Sequence, residues 1–243
     1  MLFLFFYGII QFMKIVLAST SPRRRELIKK ITDDFEAAAA DIDEKAIEDE
    51  LERSRGSLTE AQLAEKTVRR LSRAKAMAVF AMLKEPSDTL VIGADTVVAL
   101  ENEILGKPKD RDDAVRMLRA QSLEPQQVIT GVTFVWQAPE ETQMSARTFT
   151  EKSLVWFHPL DEAQEARIQA YCDTDEPYDK AGAYGIQMNG GILVERYEGD
   201  YDNIVGFPTE RVRAELISLF ASCPAGCASS GCEKCVKKCC KSN

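Results

Sequence analysis

From Met13 to Ser19 the chain reads MKIVLAS, an unbroken apolar run closed by small polar residues, which predicts a buried strand. Thr20, Ser21 and Pro22 follow, and a helical period runs from Arg23 to about Ile31. Ser21 is placed to cap that helix, Pro22 suits its first position, and Glu26 is expected to complement the macrodipole. Phe35 to Ile42 predicts a short strand, and Glu44 to Gly56 a mobile polar stretch. Leu58 to Leu83 repeats apolar residues at Leu63, Val68, Leu71, Ala74, Ala78 and Met82, near-helical spacing that ends ahead of Pro86. Thr89 to Leu100, TLVIGADTVVAL, is a β-branched run interrupted by Gly93, Ala94 and Asp95.

Arg111 to Gln121 returns to a helical period with Asp112 and Asp113 in its first turn. Gln127 to Trp136 and Thr142 to Phe157 predict a long hairpin across Ala138 to Glu141, and Asp161 to Cys172 a further helix. Glu176 to Gly191 is rich in Gly and polar residues, Ile192 to Tyr197 reads as a strand, and Asn203 to Gly206 leads through Pro208 into a last helix ending at Ala221. The elements imply an α/β chain without strict βαβ alternation. Three segments follow: an apolar extension at 1–12, a main domain at 13–221 and a cysteine-rich tail at 222–243.

Composition changes this picture in three places. Among 243 residues, Lys and Arg number 31 against 39 Asp and Glu, a net charge of −8, so the bulk surface repels nucleic acid and anionic membrane. A phosphate site must then be a local cluster of cations. The run MLFLFFYGIIQFM is apolar but shorter than the ~20 residues of a spanning helix. It also lacks a basic start and a small-residue cleavage site. It is read as an upstream start ahead of Met13, with an anchor as the rival. Cys172 stands alone in the body, which suits a reducing cytoplasmic setting, while Cys223, Cys227, Cys232, Cys235, Cys239 and Cys240 crowd the end. Only Cys232 and Cys235 form a CxxC pair, so a zinc (Zn²⁺) knuckle there competes with a plain appendage.

Four constellations carry chemistry. Ser19, Arg23 and Arg24 surround the start of the first helix, where free N–H groups and arginine forks suit a triphosphate; the rival reading of RRRE is a solvated helix face. Asp95 sits between apolar residues, where a carboxylate must be paired, bound to Mg²⁺ or Mn²⁺, or open to a cleft as a general base; a strand-end turn or helix cap is the rival. Gly93 and Ala94 are expected to leave room for a ligand beside it. Lys75 in LSRAKA and Lys107 in LGKPKD are candidate phosphate contacts that gain weight only together. In EPYDKAGAYGIQ, Gly182 and Gly185 admit a flat ligand, Lys180 adds a cation, and Gln187 can meet a base edge; a packed glycine turn explains the same residues.

Taken in order, LASTSPRRREL, DIDE, LSRAKA, IGADTVV, LGKPKD, DEPYDKAGAYGIQ and GDYDNIVGFP resemble the Maf family of nucleotide pyrophosphatases from Lys14 to about Phe220. The resemblance implies an inosine-triphosphatase-like fold, with an elongated curved mixed sheet flanked by helices and two lobes around a central cleft. It implies a divalent metal, a homodimer, and hydrolysis of nucleoside triphosphates to monophosphate and pyrophosphate. Asp95 matches the family's proton acceptor and Glu44 an acid near the metal, while Ser19, Arg24, Lys75 and Lys107 match the phosphate-contacting set. Arg23, Thr96 and Gln187 match the subgroup that prefers dTTP and UTP. The chain departs from the family at Leu123 and Gln126, where Gly and His are usual, and at His158, where Arg is common. A nucleotide-binding regulator of cell division is the rival function, and a tail that is itself the functional element is a third.

Overall fold

The computed structural model describes residues 13–137 and 143–221. The apolar N-terminal run, the tip of the predicted hairpin and the cysteine-rich tail lie outside them, and with them the expectations of an anchor and a zinc knuckle. Seven strands form one mixed sheet: β1 (Lys14–Ala18), β2 (Glu36–Ala37), β3 (Thr89–Ala99), β4 (Ile104–Leu105), β5 (Gln126–Trp136), β6 (Ser145–Phe157) and β7 (Val194–Glu198). The order is β2-β1-β3-β5-β6-β7, with β4 alongside β3. β1 runs parallel to β2 and β3, and the remaining pairs are antiparallel.

The helices are α1 (Pro22–Ile28), α2 (Glu44–Arg53), α3 (Glu60–Met82), α4 (Arg111–Gln121), α5 (Glu162–Cys172), α6 (Tyr201–Val205) and α7 (Thr209–Ala221). Ser21 caps α1 through its side chain and Pro22 opens it, as its sequence implied. Glu26 lies beyond the first turn and pairs with Lys29 at 2.7 Å instead of meeting the dipole. The stretch expected to be mobile is α2. Asp43 caps it by accepting from the Ala46 N–H at 2.9 Å, and Ile47 and Leu51, four apart, form its only shielded stripe. The strand expected over 35–42 shrinks to two exposed residues at the sheet edge, while Phe35, Ala38 and Ala40 beside them pack against the cores.

β3 crosses the whole molecule, and its alternation separates three environments. Leu90, Ile92 and Ala94 enter a core built with Leu17 and Phe134 from the sheet, Leu27 and Ile28 of α1 and Val212 and Leu216 of α7. Val98, on the same face, enters a second core with Leu118 of α4, Ile168 of α5 and Phe157. Thr96 falls between the two cores, which makes a gap between two lobes. The opposite face of β3 lies under α3, where Val91, Val97 and Ala99 pack with Val68, Ala76 and Val79.

The second lobe is laced at its surface by Arg119, whose Nε and Nη2 donate to both oxygens of Glu165 at 2.9 and 2.6 Å across α4 and α5. These bonds, with one from Gln169, pull the Glu165 carboxyl down to about 2. Because the folded pKa is depressed, the contribution is complete above the ordinary glutamate pKa of about 4.3 and is lost as pH falls toward 2. Arg119→Ala is expected to lower stability by only about 0.2–1 kcal/mol. The loss should shrink in ~1 M salt, where screening acts over about 3 Å. Thermal melts at two salt concentrations read both effects.

Candidate active site

All ten side chains singled out in the sequence line one cavity of about 950 Å³ at the gap between the lobes: Ser19, Arg23, Arg24, Glu44, Lys75, Asp95, Thr96, Lys107, Lys180 and Gln187. They come from the β1–α1 turn, α1, α2, α3, β3, the turn after β4 and the segment after α5. Neither His nor Cys is among the lining residues.

Asp95 sits in the middle of β3, hydrogen-bonded into the sheet opposite Gly131 and only 7% exposed. It is neither a strand end nor a cap. Lys75, on α3, donates to Asp95 Oδ1 at 2.6 Å and to Glu44 Oε2 at 3.0 Å, so one ammonium spans two carboxylates. Burial raises the Asp95 pKa; Lys75 and Arg24 oppose the shift without cancelling it, and Glu44 adds to it. Oδ2 of Asp95 has no hydrogen-bond partner among the described residues.

Glu48, one helical turn beyond Glu44 on α2, also lines the cavity. Its pKa is raised by partial burial and then by the charges of Asp95 and Glu44. A stretch that reads as polar and mobile hides it; the i, i+4 spacing of the two acids is the signal that marks them as neighbours on a helix. Oxygen donors without soft ligands fit a hard divalent cation such as Mg²⁺, which takes one or two carboxylates and completes its shell with phosphate oxygens and water. Among the described residues no three acidic, His or Cys side chains form a protein-only metal cage.

The cations are held in different ways. Arg24 donates from Nε to the Gly206 carbonyl at 2.9 Å and from Nη2 to Thr96 Oγ1 at 3.1 Å. Its pKa is lowered by burial, with Asp95 pulling the other way. The GDYDNIVGFP motif therefore does structural work: buried Asn203 donates to the Val128 carbonyl and to Ser153, and the turn it anchors offers Gly206 to Arg24. The Thr96 hydroxyl also meets Thr130 Oγ1 at 2.9 Å, so in this chain Thr96 is already engaged in placing Arg24. Ser19 is buried, and its Oγ accepts from the Ser21 N–H at 3.2 Å. Lys107 is exposed on the rim and makes no ion pair among the described residues.

Two expectations change. Gly93 does not open space for a ligand, since an added Cβ would stand 2.2 Å from the Ser72 carbonyl oxygen of α3. Gly182 is likewise turned to the core, against Val98 and Gln121. Lys180 is only 6% exposed, and its Nζ donates to the Glu176 carbonyl at 2.5 Å and to Asp179 at 2.6 Å. Arg23 reaches the same Asp179 at 3.0 Å. Of the departures from the family pattern, Leu123 is exposed, Gln126 is buried at the start of β5, and none of the three positions lines the cavity.

A family model described as Maf-like protein matches residues 14–219. The chain is 43% identical over 204 residues to the dTTP/UTP pyrophosphatase of Carboxydothermus hydrogenoformans, covering 84% of this chain and 97% of that protein. It is 44% identical over 200 residues to the dTTP/UTP pyrophosphatase of Thermosipho africanus, covering 82% and 90%. A third relative of that description, from Acetivibrio thermocellus, is 44% identical over 211 residues, covering 85% and 95%. No helix of the described residues is long and apolar enough to cross a membrane.

Proposed function

The chain belongs to the Maf-like protein family, and from that premise we propose that it hydrolyses nucleoside triphosphates, dTTP and UTP foremost, to the monophosphate and pyrophosphate. The observation that carries the reading is Lys75 between Asp95 and Glu44, with Arg24 and Lys107 lining the same cavity. These side chains supply the local cations that a polyphosphate needs on a net-negative protein.

Asp95 and Glu44 would hold Mg²⁺ or Mn²⁺, which when bound neutralises phosphate charge and fixes the polyphosphate's geometry. Asp95, whose Oδ2 is open, orients a water toward the α-phosphorus and takes its proton as the new P–O bond forms. The bond from that phosphorus to the bridging oxygen breaks, and pyrophosphate leaves with the electron pair. Arg24, Lys75 and Lys107 stabilise the charge that builds on the leaving group; they act by position and electrostatics rather than by covalent chemistry. The Ser19 hydroxyl, which accepts from the Ser21 N–H, adds its own O–H donor to the phosphate chain.

A panel of the common ribo- and deoxynucleoside triphosphates, assayed for pyrophosphate with Mg²⁺ and with Mn²⁺, tests the reading. Pyrophosphate release fastest from dTTP and UTP is expected. Tight nucleotide binding without pyrophosphate release would instead leave a nucleotide-binding regulator.

A further inference from the structure

Arg23 leaves α1 at the rim of the cavity and ends on an acid that the sequence reading did not single out. Its Nη1 donates to Asp179 Oδ2 at 3.0 Å, while Lys180 Nζ holds Asp179 Oδ1 at 2.6 Å. Lys180 is itself immobilised, buried and bonded to the Glu176 carbonyl. Gly185 completes the arrangement: a Cβ there would stand 2.8 Å from Lys180 Cε and 3.4 Å from Gln187 Nε2, so the lysine stem and the glutamine amide share the space the missing side chain leaves. A continuous chain of contacts thus runs from Gln187 past Gly185 to Lys180, Asp179 and Arg23, joining segments 156 residues apart.

We propose that Asp179 is a positioning residue that fixes the reach of Arg23 into the cavity and so sets the preference for a base carrying carbonyl acceptors, uracil or thymine over cytosine. The inference rests on the nucleotide reading of the cavity. An arginine loses side-chain freedom on ordering, and a carboxylate that already holds one guanidinium nitrogen removes part of that loss before a ligand arrives. With Nη1 engaged, Nε and Nη2 keep N–H donors in the plane of the fork. Donors match the O2 and O4 carbonyls of uracil and thymine, whereas the exocyclic amine of cytosine presents a donor to a donor. Partial burial pushes the Asp179 carboxyl up, but the hydrogen bonds from Lys180 and Arg23 outweigh it and hold its pKa below the ordinary aspartate value. The acid is therefore an anion throughout the neutral range and keeps its grip.

Calorimetric titration of the full chain separates this role from turnover. The probes are non-hydrolysable α,β-imido-dUTP, α,β-imido-dCTP and inorganic tripolyphosphate, which lacks a base. Asp179→Asn is expected to weaken the dUTP analogue on the order of tenfold relative to tripolyphosphate, the loss of one charge-assisted anchor. It should also narrow the dUTP to dCTP ratio, with a melting temperature still well above the temperature of the titration. In an Arg23→Ala background the same substitution should change neither ratio. Equal weakening of dUTP analogue and tripolyphosphate, or an unchanged base ratio, would overturn the inference. Wild-type protein that binds the analogues yet releases no pyrophosphate from any nucleotide would overturn the hydrolase reading and leave this one standing.

Discussion

Asp95→Asn is expected to reduce pyrophosphate release by ~10²–10⁴-fold, the usual contribution of a positioned base. The melting temperature should stay at the wild-type value or rise slightly. The two halves of this prediction have one origin. Burial is the largest influence on Asp95 and raises its pKa, so ionising it costs the folded state free energy that the unfolded chain does not spend. The folded protein then binds the proton more tightly than the unfolded one, and stability falls as pH climbs from the ordinary aspartate pKa to the raised folded value. Asparagine removes that loss and keeps the shape; Lys75 retains Glu44 at 3.0 Å as counter-ion. Activity needs the ionised carboxylate, so the wild-type pH–rate profile should carry an acid limb that vanishes in the variant. Wild-type turnover in Asp95→Asn would remove Asp95 from the chemistry. A several-degree loss of melting temperature would mean that its ion pair, not its burial, dominates the fold.

The parts of the molecule legible in the sequence are those where several local signals agree. α4 is found at the residues its period marked, because apolar spacing, Asp110 as cap and the acids in the first turn agree. β3 is legible as a strand for the same reason, and Asp95 as its anomaly. What escaped depends on partners distant in sequence. α2 buries no residue fully, and its stripe of only Ile47 and Leu51 among charged neighbours is easily passed over, Glu48 with it. Asp179 looks like any turn acid until Arg23 arrives from the other lobe. Thr96 stands out in the sequence only as a match to the dTTP and UTP subgroup; its hydroxyl bonds to Arg24 and Thr130 depend on the register of β3 with β5 and on the Gly206 turn. The glycine in IGADTVV was assigned to a ligand because local sequence cannot tell a bound molecule from a helix.

That glycine supports the second large effect. Gly93 and Gly131 lie on the face of the sheet beneath α3, and notional Cβ atoms would stand 2.2 Å from the Ser72 oxygen and 2.4 Å from the Val68 oxygen. Val68, Ser72 and Ala76 are spaced by four, one ridge of the helix resting on the glycine backbone, and Ser72 Oγ reaches Thr133 at 3.0 Å. The obstacles are backbone atoms, which cannot rotate away, so Gly93→Ala must lift the helix. The expected loss is about 1–3 kcal/mol, the usual range for overpacking, measured as a lower urea midpoint with an unchanged slope. Gly131→Ala should cost a similar amount, and the pair together less than the sum, because a helix already lifted clears both sites. The same displacement carries Lys75 away from Asp95, with which it now makes a 2.6 Å contact. Gly93→Ala should therefore lose turnover even at temperatures where it is fully folded, since small misplacements at reacting groups can cost ~10²-fold. A stable Gly93→Ala protein with normal turnover would show that the seat of α3 does not set the Lys75–Asp95 contact.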